Sequence, residues 1–284
     1  MKGFIKVLKG SFIGVANIIP GVSGGTMAVS MGIYDEIIGS VTNLFKQFKK
    51  SILTLLPYAI GMIIAIIGLS FIIEPMFENY PLPTASLFVG LILGGLPIIV
   101  KKVKGKGIDL LDGILLLAFF GMIIGMQILG SQDSGEVVIE FSLMEYVKLF
   151  FIGVIASATM VIPGVSGSMI LLILGYYNPI INTINDFIRA LSPLDINALL
   201  HASGILIPFG LGIVIGIIAI AKAIEYLLSK FEKKTYYSIL GLVLASPVAI
   251  YMGIGVGNLS VSSIIVSLLT FIFGFIIAFL LGRE

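Results

Sequence analysis

Residues 55–73 read LLPYAIGMIIAIIGLSFII, nineteen residues without a charge, and apolar runs of this kind recur to the end of the chain. A helix rises ~1.5 Å per residue, so about 20 such residues cross the ~30 Å hydrocarbon core of a bilayer. A soluble domain has no place for several of them. The 284 residues are 58% hydrophobic and 11% charged, with a mean hydropathy of +1.16, which makes the chain a multi-pass membrane protein. The runs are continuous and lack the two-residue alternation of a membrane barrel, so the expected spans are helices. Six segments are long enough, or nearly so: 52–74, 84–100, 108–130, 198–222, 236–254 and 261–282.

Several functions are excluded by what is scarce. The start, MKGFIKVLKGSFIGVANIIPG, pairs lysines with an apolar stretch, but Asn17 and Pro20 interrupt it and no small-x-small cleavage site follows, so it reads as retained. With no cysteine and one histidine, His201, disulfides, thiolate sites and histidine-rich metal centres are ruled out, and no metal or cofactor is expected. The net charge of +2 is too small to suggest a nucleic acid partner. No P-loop and no paired-histidine helix occurs, which argues for transport over catalysis. Nothing in the sequence sets an oligomeric state.

The lysines carry topology instead. Lys2, Lys6 and Lys9, then Lys46, Lys49 and Lys50, then Lys101, Lys102, Lys104 and Lys106, then Lys222, Lys230, Lys233 and Lys234, and finally Arg283 are expected on the cytoplasmic side. The loops at 75–83, 131–145 and 255–260 carry no lysine or arginine and are expected outside. Residues 10–45 must then leave the cytoplasm and return, and residues 146–190 must start and finish outside. Both termini come out cytoplasmic. Lys148 and Arg189 break the rule, which makes them candidates to meet an anionic headgroup on the outer face.

Opposite orientations imply a duplication, and the sequence contains one. At an offset of 143, Gly10, Pro20, Gly21, Val22, Ser23, Gly24, Gly32, Tyr34, Ile37 and Ile38 match Gly153, Pro163, Gly164, Val165, Ser166, Gly167, Gly175, Tyr177, Ile180 and Ile181. At 151, Thr84, Gly90, Leu91 and Leu93 match Thr235, Gly241, Leu242 and Leu244. The expected fold is all-α: two inverted-topology repeats, each a re-entrant broken-helix hairpin plus three transmembrane helices. The first repeat covers 1–131 with its hairpin at 10–45, an extracytoplasmic linker covers 132–145, and the second repeat covers 146–284 with its hairpin at 146–190.

Each hairpin contains the phrase Pro-Gly-Val-Ser-Gly, at 20–24 and 163–167. Before Pro20 the apolar residues make a helix of about a dozen residues, too short to cross. Pro20, Gly21, Gly24 and Gly25 end it, and a second short helix is expected to start near Ser23 to Thr26 and run back past Tyr34. Bare backbone at membrane depth survives only where protein or a wet cavity covers it. The returning helix start offers unpaired N–H groups, with Ser23 and Thr26 as further donors, and the second copy repeats this with Ser166, Gly167 and Ser168. Two such ends approaching from opposite faces suit a ligand with negative charge. The alternatives stand beside this reading: a packing notch, or serines bonding back to helix carbonyls. Asn17, one turn before the break, either bonds a ligand or satisfies the opened backbone. Tyr34 and Tyr177 read as interfacial anchors, His201 as a polar group at an interface, and Asp35, Glu36, Glu74 and Glu78 as solvated charges.

The stretches GVANIIPGVSGGTMAVSMGIYDEII and ATMVIPGVSGSMILLILGYYNPII resemble the bacterial polyprenyl-phosphate transporter family, which is similar over essentially the whole chain. The resemblance implies translocation of undecaprenyl phosphate from the outer to the cytoplasmic leaflet of the bacterial plasma membrane, where the lipid is reused in cell-wall synthesis. The family motif falls on Pro20, Gly21, Ser23, Gly24, Gly25 and Thr26 and on Pro163, Gly164, Ser166, Gly167 and Ser168. Many members carry an acidic residue where this chain has Asn17, so a titrating carboxylate does not carry over. Coupling to a proton or sodium gradient is compatible with this reading. The competing expectations are an ion-coupled transporter or channel for a small soluble anion, an enzyme acting on a lipid phosphate, and a structural membrane partner.

Overall fold

Where a bilayer supplies no hydrogen bonds, the polar backbone of an apolar segment must pair with itself, and the described residues do so as helices. A computed structural model describes residues 2–18, 22–130, 137–139, 142–192, 194–254 and 260–282, and every regular element among them is helical. In order these are α1 (Lys2–Ile18), α2 (Gly24–Ser30), α3 (Tyr34–Thr42), α4 (Phe48–Asn79), α5 (Pro81–Val103), α6 (Leu110–Gly130), α7 (Leu143–Val161), α8 (Gly167–Ile173), α9 (Tyr177–Leu191), α10 (Ile196–Lys230), α11 (Glu232–Gly253) and α12 (Val261–Leu281). Seven of them, α4 to α7 and α10 to α12, are long and apolar enough to cross a membrane. Side-chain oxygens start three of these: Ser142, Asp195 and Ser260 accept from the N–H groups of Glu145, Ala198 and Ser263.

Glycine decides how the helices pair. A Cβ on Gly10 would run into the backbone of Tyr58 and one on Gly61 into the carbonyl of Val7, so α1 and α4 touch backbone to backbone. The same holds at Gly153 with Phe209 and at Gly212 with Phe150, which join α7 to α10. These contacts repeat the sequence offsets of 143 and 151. α12 packs along α5 through Gly90, Gly94 and Gly274, and α6 packs along α11 through Gly241. α5 and α11 also touch and form the interior, their most apolar stretches 67% and 61% buried against 11–39% for the other span-length helices. Ile63, Ile64 and Ile67 of α4 and Leu268, Leu269 and Phe273 of α12 are exposed, a lipid-facing surface.

Three expectations are corrected here. The arms entering each hairpin are longer than a dozen residues: α1 has 17 and α7 has 19, because the turns carrying Lys2, Lys6 and Lys9, or Lys148, are helical too. The returning helix does not run past Tyr34. It stops at Ser30, and α3 begins only after a turn at 31–33. Gly32 (φ 69°) closes that turn with Ile33 N–H donating to Ala28 O, and Gly175 (φ 74°) does the same with Tyr176 N–H and Leu171 O. The left-handed φ is why glycine stands at both places. α8 and α9 are bent by 112° across this turn, as a re-entrant segment requires. The expected loop at 75–83 is almost wholly helical, since α4 runs to Asn79 and Pro81 starts α5 as a proline in a first helical turn does.

Candidate functional site

The two broken phrases meet. A Cβ on Gly25 would lie 3.3 Å from the Ile162 carbonyl and from Pro163 Cα. Gly164, at φ 83°, donates its N–H to Thr26 Oγ1 at 2.6 Å, and Ser23 Oγ makes a long 3.5 Å contact to Ile162 O. Thr26 therefore ties one half to the other through its oxygen, where a donor facing a ligand was expected. Pro20 and Gly21 lie outside the described residues.

Ser23 and Ser166 hold the position before α2 and α8 with extended backbone, yet neither side chain caps its helix. The first N–H groups of a helix have no partner within it, so Gly24, Gly25, Gly167 and Ser168 present backbone donors at the two breaks. Ser166 Oγ and Ser168 Oγ are 2.9 Å apart and share a hydrogen bond. A polar side chain lies over the first glycine of each short helix: a Cβ on Gly24 would come 2.7 Å from Asn17 Oδ1, and one on Gly167 would come 2.9 Å from Thr159 Oγ1. Asn17 is exposed, and among the described residues its amide makes a 3.9 Å contact to Met62 Sδ.

Tyr34 is not an interfacial anchor. It is 5% exposed, and its hydroxyl donates to Val161 O at 3.0 Å, taking up a carbonyl at the end of α7. Cavities lie on both sides of this bridge. One of about 310 Å³ is lined by Asn17, Gly24, Gly25, Tyr34, Met160 and Ala221 among others. Another of about 390 Å³ is lined by Tyr34, Phe119, Pro163, Leu227, Lys234 and Leu242 among others. Almost all of their lining is aliphatic or aromatic, and both fall within the range that holds a small ligand, ~300–1,000 Å³. A third space of only about 10 Å³ lies between Gln127, Gly164 and Ser166. Gln127 is 9% exposed and its Oε1 has no hydrogen-bond partner among the described residues.

Lys148 and Arg189 are not brought to the phrases. Lys148 sits in the early turns of α7, roughly 20 Å along the helix from its end, and pairs with Glu145 at 2.9 Å. Glu145 also accepts from Tyr176 at 2.8 Å. Arg189 is exposed in the last turn of α9. Asp35 and Glu36 are likewise not simple solvated charges. Asp35 accepts from Lys102 at 2.8 Å and from the Tyr236 hydroxyl, and Glu36 pairs with Lys6 and accepts from Tyr58 at 2.7 Å. Burial alone would raise the Glu36 carboxyl, but hydrogen bonds from Lys6 and Tyr58, with the charges of Lys6 and Lys9, hold it below the usual carboxylate range. Among the described residues no group of histidine, aspartate and glutamate is arranged to hold a metal ion.

Sequence reasoning missed Gln127, Thr159 and Lys234. Gln127 and Lys234 interrupt or flank apolar runs and are visible as polar intrusions, but only the packing shows which cavity each lines. Thr159 lies four residues before Pro163, as Ala16 lies before Pro20, so the repeat itself does not mark it.

The arrangement defines a class: a multi-pass helical membrane protein whose two interrupted helices meet beside apolar cavities. The chain matches the VCA0040-like family, described as undecaprenyl phosphate translocase-like, over residues 13–263, and it belongs to that family. It is similar to a polyprenyl-phosphate transporter of Staphylococcus aureus (strain NCTC 8325 / PS 47), 32% identical over 99% of this chain and 96% of the relative. A polyprenyl-phosphate transporter of Vibrio cholerae serotype O1 is 29% identical over 84% of this chain and 74% of its own length. No solved structure matches the chain.

Proposed function

We propose that this chain moves undecaprenyl phosphate from the outer to the cytoplasmic leaflet of the bacterial plasma membrane, with both termini cytoplasmic and no covalent chemistry. The observation that carries the reading is the meeting of the two phrases, Gly25 against Ile162 and Pro163 and Thr26 bonded to Gly164, between two apolar cavities. The polyprenyl-phosphate transporters to which the chain is similar supply the substrate class and speak for a transporter over an enzyme. An unpaired phosphate in hydrocarbon costs tens of kcal/mol by ideal solvation arguments, whereas an isoprenoid tail costs nothing there. The protein need shelter only the headgroup. In this reading the phosphate lies against the backbone donors of Gly24, Gly25, Gly167 and Ser168 with Ser23, Ser166 and Asn17, while the tail stays among apolar side chains. The repeated contacts support two inverted halves and alternating access between leaflets.

The test is movement of labelled undecaprenyl phosphate across proteoliposomes, with a proton or sodium gradient imposed, for the wild type and for Ser23→Ala/Ser166→Ala. Acceleration over empty vesicles, lost in a variant that folds and inserts equally, is expected. Transport of inorganic phosphate without the lipid would favour a small-anion carrier, and release of inorganic phosphate from the lipid would favour an enzyme.

A further inference from the structure

On the lysine-rich face the carboxylates near α11 are already committed. Lys233 pairs with Asp109 and Asp112, Lys106 with Glu232 at 2.7 Å, and Lys102 with Asp35 at 2.8 Å. Lys234 follows Lys233 in the chain but serves a different place. Its half-buried side chain lines the cavity of about 390 Å³ and is the one charged group among the described lining residues. The hydroxyls beside it do not compete as donors, since Thr235 donates to Phe231 O at 3.0 Å and Ser238 to Lys234 O at 3.1 Å. From Lys234 the cavity wall follows α11 for about 12 Å to Leu242, whose carbonyl lies 2.9 Å from where a Cβ on Gly164 would be. One cation at one end, aliphatic walls along the length and the second broken phrase at the other end describe the outline of an amphiphile with an anionic head.

A lysine near a helix end ordinarily sends its ammonium to water and its stem along apolar surface. That reading accounts for the charge but not for an apolar cavity that runs from it to the second broken phrase. We infer that Lys234 binds the phosphate monoester of a polyprenyl phosphate on the lysine-rich side, with the isoprenoid chain seated against Leu115, Phe119, Ile224 and Leu227. The inference rests on the proposed function and adds to it a residue that recognises the headgroup, at a station separate from the broken phrases. An ammonium with free donors makes charge-assisted hydrogen bonds to phosphate oxygens and none to an uncharged alcohol of comparable strength, so this station selects the phosphorylated lipid.

The experiment is native mass spectrometry of the full chain in nanodiscs of uncharged lipid, titrated with undecaprenyl phosphate, with undecaprenol and with inorganic phosphate. The variants are Lys234→Gln, Lys234→Arg and, as a control, Lys230→Gln, which removes an exposed charge from the end of α10. Lys234→Gln is expected to weaken undecaprenyl phosphate by about tenfold or more, the scale of a lost charged hydrogen bond, and to leave undecaprenol unchanged, which also shows the variant is folded. Lys234→Arg keeps most of the affinity and Lys230→Gln all of it. If Lys234→Gln binds the phosphate as the wild type does, or if Lys230→Gln loses as much, the station is not at Lys234. If inorganic phosphate displaces the lipid at equal concentration, the occupant is a soluble anion and the inference fails on its lipid. If the wild type itself does not prefer the phosphate to the alcohol, the proposed function falls with it.

Discussion

Replacing Thr26 by valine tests whether the two halves are joined where the structure joins them. Valine keeps the β-branched shape and removes the only side-chain oxygen that accepts the Gly164 N–H. Thr26 is fully buried, so no water replaces the lost acceptor. A buried donor left without a partner costs ~1–3 kcal/mol, and about 2 kcal/mol is the expected loss. Thr26→Ser is the informative companion: it keeps the oxygen and loses one methyl, worth ~0.8 kcal/mol. The assay is reversible unfolding of the purified protein in mixed micelles, followed by transport into vesicles. The expected order of stability is wild type, then serine, then valine. Ser30→Ala is the matched control for transport, since Ser30 donates to Ile92 O within the first half only. Thr26→Val is expected to slow transport more than that control does at equal stability. A valine variant as stable as the wild type, or more stable than the serine variant, would refute the crossing bond.

Other outcomes follow from the same geometry. The chain has no cysteine, so Ser23→Cys with Ile162→Cys gives a background-free cross-link; oxidation should trap this pair and arrest transport, and a Ser23→Cys/Val138→Cys pair should not cross-link. Gly61→Ala and Gly212→Ala each place a Cβ on a facing carbonyl and should destabilise by ~1–3 kcal/mol, while Gly113→Ala, with open space around it, should be neutral or stabilising by up to ~1 kcal/mol; thermal unfolding of the three variants separates them. Glu36 has a depressed pKa in the folded chain, so its share of stability is present above the unfolded carboxylate value of ~4.3 and is lost as pH falls through the lower folded value. Glu36→Gln should flatten that acid limb in a stability titration, modestly, because the side chain is 41% exposed and screened.

The spans were legible because a bilayer imposes one demand, an apolar run of sufficient length, and α6 or α12 meets it in plain sight. The duplication was legible for a related reason. Positions such as Gly10 and Gly153 or Gly90 and Gly241 admit only glycine, since backbone lies against backbone there, and identical constraints call for identical letters. The division of the returning arm was harder to read. Met31 and Gly32 follow an apolar stretch that continues the helical pattern, and only the left-handed φ at Gly32 marks the stop. Polar side chains were legible as residues but not as partners. Hydropathy places Asp35, Glu36 and Lys234 near one face, yet whether a charge meets an acid, a tyrosine or a cavity depends on helices far away in the chain. Tyr34 shows this most sharply, since its partner Val161 lies in the other half.

The last two long helices of each half of the chain pack on those of the other: α12 lies along α5, and α6 lies along α11. A fragment ending before residue 131 would keep α1 against α4 but would expose Gly90 and Gly94 where α12 should lie. The two halves of the chain are therefore packed like the arms of a domain-swapped dimer fused into one polypeptide. Cut in the linker and co-expressed, the fragments should find each other and restore the whole, and either alone should be degraded.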